Sequence, residues 1–202
     1  MPQPGRSKMA ALLRLARRGP VRARDLERVG VPRTYLKRLV DRGELEQVDR
    51  GLYRLAQAPL TELSTLAEVT RRVPHAIVCL LSALQVHGLS TELPHAVWVL
   101  IERHARYPSL RNPKLEVVRA SGDAFLHGVE KRVVEGIDVR LTTPAKTVAD
   151  CFRFRKHVGL DVALAALRDY RAKRKGSVDE LVAAARADRI YAFMRPYLEA
   201  LA

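Results

Sequence analysis

Three residues, Gly30-Val31-Pro32, constrain the first quarter of this chain more than any other feature. Proline cannot continue a helix and glycine favours a left-handed turn, so two helical patterns must meet there at an angle. Before the break, Ala23 to Val29 reads as a short helix with Leu26 and Val29 inward. After it, Arg33 to Arg42 reads as a helix with Leu36, Leu39 and Val40 inward and Gly43 as its C-cap. Upstream, Lys8 to Arg18 places Met9, Leu12, Leu13, Leu15 and Ala16 on one helical face, and Gly19-Pro20 ends it. Downstream, Leu45 to Val48 and Leu52 to Leu55 read as strands around Asp49-Arg50-Gly51, which supplies the left-handed position a tight hairpin needs.

Three helices, a three-residue break and a hairpin spell a winged helix-turn-helix. In that arrangement the third helix turns its outer face toward a DNA major groove. Here that face holds Arg33, Thr34, Lys37, Arg38 and Asp41, with Tyr35 at its border. Arginine can pair bidentately with guanine, threonine can meet a phosphate or a thymine methyl, and lysine neutralises phosphate. Arg50 sits at the wing tip, in reach of a minor groove or phosphate, and Arg22 and Arg24 flank the second helix, where they can clamp the backbone. The expected DNA contacts are therefore Arg22, Arg24, Arg33, Thr34, Tyr35, Lys37, Arg38 and Arg50. Tyr35 reads equally well as core, Tyr53 reads better as core, and a basic helix face is also what a merely solvated surface looks like.

Charge supports the DNA reading locally. The 202 residues carry 36 Lys/Arg against 22 Asp/Glu, a net charge of +14, and +8 of it lies in residues 1–58. The remaining +6 spreads over 59–202, too thinly to choose between nucleic acid, partner or solvent. No window is apolar for 18 residues and the N-terminus lacks a small-x-small cleavage site, so a cytoplasmic chain without a membrane partner is expected. Cys79 and Cys151, 72 positions apart, have neither disulfide nor metal spacing and suit a reducing compartment.

A boundary is expected at Ala58-Pro59-Leu60-Thr61, dividing the chain into domains 1–58 and 59–202. The second domain reads as helix Leu60–Arg72, the apolar run Ile77–Leu81, and a short helix over Ser82–Leu89 that stops at Gly88. Strands follow at Val97–Ile101 and Leu115–Arg119, then a hairpin, Arg132–Glu135 with Ile137–Leu141, across Gly136. Thr143-Pro144 offers an N-cap and a first-turn proline for a helix to about Lys156, and helices over 160–175, 178–187 and 190–201 close the chain. The fold class is thus α+β: a winged helix-turn-helix domain, then a larger α+β domain with a small sheet and a helical C-terminal part.

Two blocks carry a family resemblance. Ser82-Ala83-Leu84-Gln85-Val86-His87-Gly88-Leu89 and Thr142-Thr143-Pro144-Ala145-Lys146-Thr147-Val148-Ala149-Asp150-Cys151-Phe152 resemble the AbiEi family of type IV antitoxins. So do Gly30-Val31-Pro32, Leu36 to Gly43, and Arg50-Gly51-Leu52-Tyr53 in the first domain. The resemblance implies a winged helix that binds and represses the operator of its own operon. That operator is expected to be double-stranded DNA with inverted repeats, suited to two protomers. It also implies a second domain that counteracts a nucleotidyltransferase-like toxin without requiring a stable complex. The alternative is a regulator of another regulon whose second domain senses a ligand or partner.

No catalytic, cofactor-binding or metal residues are expected. Asp138-Val139-Arg140 lacks the second acid of a nucleotidyltransferase pair, and Glu130-Lys131 are adjacent rather than spaced for a nuclease. The histidines show no ligand spacing. His87 reads as packed or capping, and Asp150, Lys146 and Thr147 as residues that order the domain. The basic run Arg168, Arg171, Lys173, Arg174 and Lys175 reads as a solvated helix end, with a nucleic-acid or partner contact as the other possibility.

Overall fold

The structure is a computed structural model that describes residues 4–17, 19–57, 62–90, 94–110, 112–134 and 137–200. The chain divides into two compact units, residues 1–68 with 133–138, and residues 69–132 with 139–202. The expected linker 58–61 and the expected hairpin turn at Gly136 lie outside the described residues.

The first unit opens with α1 (Pro4–Ala16), β1 (Val21–Arg22) and a 3-10 helix (Ala23–Val29). α2 (Thr34–Asp41), β2 (Leu45–Asp49) and β3 (Leu52–Leu55) follow. The second helix of the pattern is thus 3-10. Its start is held by the Asp25 carboxylate, which accepts the backbone N–H of Arg22 at 3.0 Å. Leu12, Ala16, Val21, Leu26, Val31, Leu36, Leu39 and Leu45 form the buried core, with Tyr35 and Tyr53 half-buried against it. β1 is a strand the sequence pattern does not announce, because two residues cannot show an alternation. It joins β3 antiparallel, Val21 opposite Tyr53 and Arg22 opposite Leu52, and completes a sheet of order β1-β3-β2.

After α3 (Glu62–Arg72), the second unit contains β4 (Ile77–Val78), α4 (Leu80–His87), β5 (Val97–Glu102), β6 (Leu115–Ala120) and α5 (Asp123–Leu126). β7 (Val129–Val134) and β8 (Ile137–Thr142), whose residues 133–138 belong to the first unit, come next, then α6 (Pro144–Arg153) and α7 (Arg155–Val158). α8 (Leu160–Ala172), α9 (Val178–Ala187) and α10 (Tyr191–Glu199) end the chain. The strands form one sheet of order β6-β5-β4-β8-β7, in which β4 runs parallel to β8 and β5 parallel to β6. Ile77, Leu100 and Val118 on one face join a core with α4, α6, α8, α9 and α10. The expected single helix 144–156 is interrupted at Phe154, whose backbone (φ −96°, ψ 24°) leaves the helical region and starts α7.

α6 is the centre of this unit and its face is partly polar. Thr143 caps it and Pro144 occupies its first turn, as the sequence implies. Lys146 is wholly buried, yet its ammonium is satisfied: it pairs with Asp150 one turn on, and with Asp188 at 2.8 Å. Asp188 also meets Arg153 at 3.4 Å, so the end of α9 is tied to α6 by charge. Thr147 Oγ1 lies 2.7 Å from Thr142 Oγ1, and His87 Nε2 lies 2.7 Å from the Thr142 carbonyl oxygen. The two family-like blocks therefore meet at the end of β8, as structural members. Burial is the main reason the Asp150 carboxyl is pushed up to about 7. Lys146 opposes the shift, while the Asp188 charge and hydrogen bond, which favours the protonated form, add to it.

Lys146→Ala is expected to lower stability by about 3–5 kcal/mol in urea unfolding, because two buried carboxylates lose their cation. Lys146→Met combined with Asp150→Asn and Asp188→Asn should recover part of that loss. Between about pH 4 and 7 folded Asp150 keeps a proton that the unfolded chain has released, so this group makes stability fall as pH rises. His87, whose pKa is lowered by burial, acts in the opposite sense. The stability of the native protein minus that of Asp150→Asn should therefore decline across that window and level off above pH 7.

Candidate nucleic-acid interface

The described geometry of the first unit separates the eight expected DNA-contact residues into two groups. Arg33 occupies the N-cap position of α2, and Thr34, Tyr35, Lys37 and Arg38 lie within the helix. Leu36 and Leu39 point into the core at 2% and 0% exposure. The helical period then leaves Arg33, Thr34, Lys37 and Arg38 on the outer side, and all four are exposed. The second group is brought together by the small sheet. Arg22 is paired with Leu52 in the β1–β3 ladder, Arg24 is exposed on the 3-10 helix, and Arg50 is exposed at the β2–β3 turn. The Ala23 N–H donates to the Gly51 carbonyl at 3.0 Å, so the wing turn is fastened beside the Arg22–Arg24 segment.

Local chemistry explains why α2 sits where it does. Gly30 has φ +64°, the left-handed turn expected at the break, and the Val31 N–H returns to the Leu26 carbonyl at 3.1 Å. At the far end Gly43 has φ +67°. Its N–H reaches the Val40 carbonyl at 2.9 Å and the Glu44 N–H reaches the Leu39 carbonyl at 2.9 Å, a Schellman motif. Helix α2 is thereby stopped after Asp41 and the chain is aimed into β2.

The outer face of α2 is basic except for Asp41, which is exposed one turn beyond Lys37. Nearby, Glu46 pairs with Arg54 across the wing and Glu44 lies 4.0 Å from Arg42. The Arg38 guanidinium carbon stands 5.4 Å from the centre of the Tyr35 ring. Tyr35 is half-buried: it packs against the core and its ring carries the Arg38 cation. The sequence signals this stacking only through the i, i+3 spacing of Tyr35 and Arg38. Tyr53 is also half-buried and packs at the core edge.

Among the described residues, no cluster of three His, Cys, Asp or Glu side chains could hold a metal ion, and no helix is long and apolar enough to cross a membrane. Cys79 and Cys151 are buried free thiols whose pKa values are pushed up chiefly by burial, which leaves them unreactive. The basic run at the end of α8 is partly engaged: Lys173 pairs with Asp169 at 2.7 Å and donates to the Gly88 carbonyl at 2.8 Å.

Residues 10–56 match the family model described as transcriptional regulator, AbiEi antitoxin, in agreement with the resemblance read from the sequence. The match runs from within α1 through β3 and covers the winged helix-turn-helix. A solved structure, the crystal structure of the RV2827C protein from Mycobacterium tuberculosis, superposes with a TM-score of 0.55 at 17% identity. The superposition covers 95% of this chain and 79% of that one, and at this identity it speaks for the fold. No curated protein matches the chain in sequence.

Proposed function

We propose that this chain is a DNA-binding autorepressor and antitoxin of a type IV toxin–antitoxin system. The observation that carries this reading is the exposed face of Arg33, Thr34, Lys37 and Arg38 on α2, within the segment that matches the AbiEi regulator family. In this reading Arg33 and Arg38 read base edges, Thr34 and Lys37 meet phosphates, and Tyr35 holds Arg38 in a defined direction. Arg22, Arg24 and Arg50 form the second contact, with the backbone beside the wing. The operator is double-stranded, and inverted half-sites would take two protomers. The second unit counteracts a nucleotidyltransferase-like toxin in the cytoplasm. Its Thr142–Asp150 block acts by holding α6, α4 and α9 together, which supports a non-enzymatic role.

A second reading has one observation in its favour. A cavity of about 430 Å³ between α4 and α8 is bordered by Leu84, Leu89, Val162, Asp161, Asp169 and Lys173. A regulator of another regulon could take a small ligand there.

In a gel shift with the DNA upstream of its operon, the protein should bind with sequence preference and marked salt sensitivity. Arg33→Ala and Arg38→Ala should each weaken specific binding by about 1–3 kcal/mol, and unchanged affinity in both would move recognition to the wing. In cells, co-expression should restore growth against the toxin encoded by the neighbouring gene. Failure to rescue, with an operator released by a small molecule, would favour the sensor instead.

A further inference from the structure

The connection between β5 and β6 is unusual in build. The two strands are parallel neighbours, so residues 103–114 must carry the chain back along the sheet. Such crossovers commonly contain a helix. Here the described residues of the connection contain none, and Pro108 and Pro113 lie within it. The strap is nevertheless pinned. Arg119 Nη1 on β6 donates to the carbonyl oxygens of Glu102, Arg103 and Ala105 at 3.2, 2.6 and 2.9 Å. The His104 N–H donates to the Glu102 carboxylate at 2.6 Å, and an Arg72 guanidinium N–H donates to the Asn112 carbonyl. At the exit, the Lys114 carbonyl accepts the Val97 N–H at 2.9 Å.

With its carbonyls turned onto Arg119, the strap displays side chains outward. Arg103, His104, Arg106 and Lys114 are exposed, and Tyr107 is 57% exposed. Residues 103–114 hold Arg103, Arg106, Arg111 and Lys114 and not one Asp or Glu. Lys114 is paired with Glu116 at 3.0 Å, whereas Arg103 and Arg106 have no acidic partner among the described residues. A single exposed aromatic needs no explanation. An exposed aromatic next to Arg106 and four residues from Arg103, on a strap pinned at both ends, is a different object. It offers a flat ring to a planar group and cations to anions nearby.

We propose that this strap is a binding site for single-stranded nucleic acid, with Tyr107 as the stacking platform for a base and Arg103 and Arg106 as phosphate ligands. Duplex DNA would use the cations and leave the ring idle, because paired bases are already stacked. An anionic membrane would need more apolar surface than one tyrosine, and Leu110, three residues on, is half-buried. The site belongs to the second unit and does not depend on the winged-helix reading.

The test uses the full chain and fluorescence anisotropy with labelled oligo(dT) and oligo(U) of about 12 nucleotides, within the usual site size for stacking grooves. Tyr107→Ala should weaken binding by about 5- to 150-fold, while Tyr107→Phe, which keeps the ring, should stay within about twofold of the native protein. Arg103→Ala with Arg106→Ala should reduce both affinity and salt dependence. Arg38→Ala, on α2, should leave oligonucleotide binding intact, and Tyr107→Ala should leave operator duplex binding intact. Loss of operator binding alone would therefore count against the repressor reading only. Unchanged oligonucleotide affinity in Tyr107→Ala, or an equal loss in Tyr107→Phe, would overturn the proposal. Tyr107-dependent sedimentation with phosphatidylserine-containing vesicles, without oligonucleotide binding, would overturn it in favour of a membrane.

Discussion

A lysine ammonium with no access to water sets the terms for the second unit. Moving that charge out of solvent costs several kcal/mol, and the cost is tolerable only when counter-charges and hydrogen bonds surround it. Lys146 finds Asp150 on its own helix and Asp188 at the end of α9, and Arg153 closes the group from the half-exposed side. The partners come from positions 42 residues apart, so the ion cluster forms only when α9 has docked on α6. Burial and the two carboxylates' mutual repulsion keep Asp150 ready to hold a proton, which makes this centre sensitive to pH as well as to packing.

The same helix organises its other neighbours through short polar contacts. Thr147 and His87 both lean on Thr142, and the apolar residues Val148, Ala149 and Phe152 fill the space between sheet and helices. The conspicuous polar residues of this unit are thus spent on internal order. In the readings proposed above, recognition falls to the outer face of α2 and the wing in the first unit, and to the basic strap in the second. Each presents exposed arginines on a segment pinned by hydrogen bonds at its ends, and each has a tyrosine: Tyr35 under Arg38, and Tyr107 next to Arg106 in sequence. Preorganised cations lose less freedom on meeting a phosphate than cations on a loose chain.

Much of this was legible in the residues, for local reasons. The break at Gly30-Val31-Pro32, the stop at Gly43 and the turn at Gly51 depend on glycine and proline backbone preferences, which act over a few positions. Gly43 and Gly51 adopt the positive φ that a C-cap and a tight turn call for, and Gly30 at the break does so too. The apolar period of α2 likewise identified its outer face. Other features stayed hidden because they are short or non-local. β1 is two residues long and exists only through its pairing with β3. The break at Phe154 falls inside an uninterrupted helical pattern. The pinned strap was invisible, since Arg119 looks like any strand arginine until the parallel pairing of β5 and β6 brings it under the carbonyls.

The sequence by itself determined the helix-turn-helix with its wing, the concentration of positive charge in it, and the capped start of α6, because these follow from backbone chemistry and period. Only the tertiary structure decided that Lys146, Asp150 and Asp188 neutralise one another, that His87 serves Thr142, and that the connection from β5 to β6 is pinned at both ends with Arg103, Arg106 and Tyr107 exposed. Those outcomes require distant segments to share one low-dielectric interior or one sheet edge. No local propensity encodes which charge will meet which.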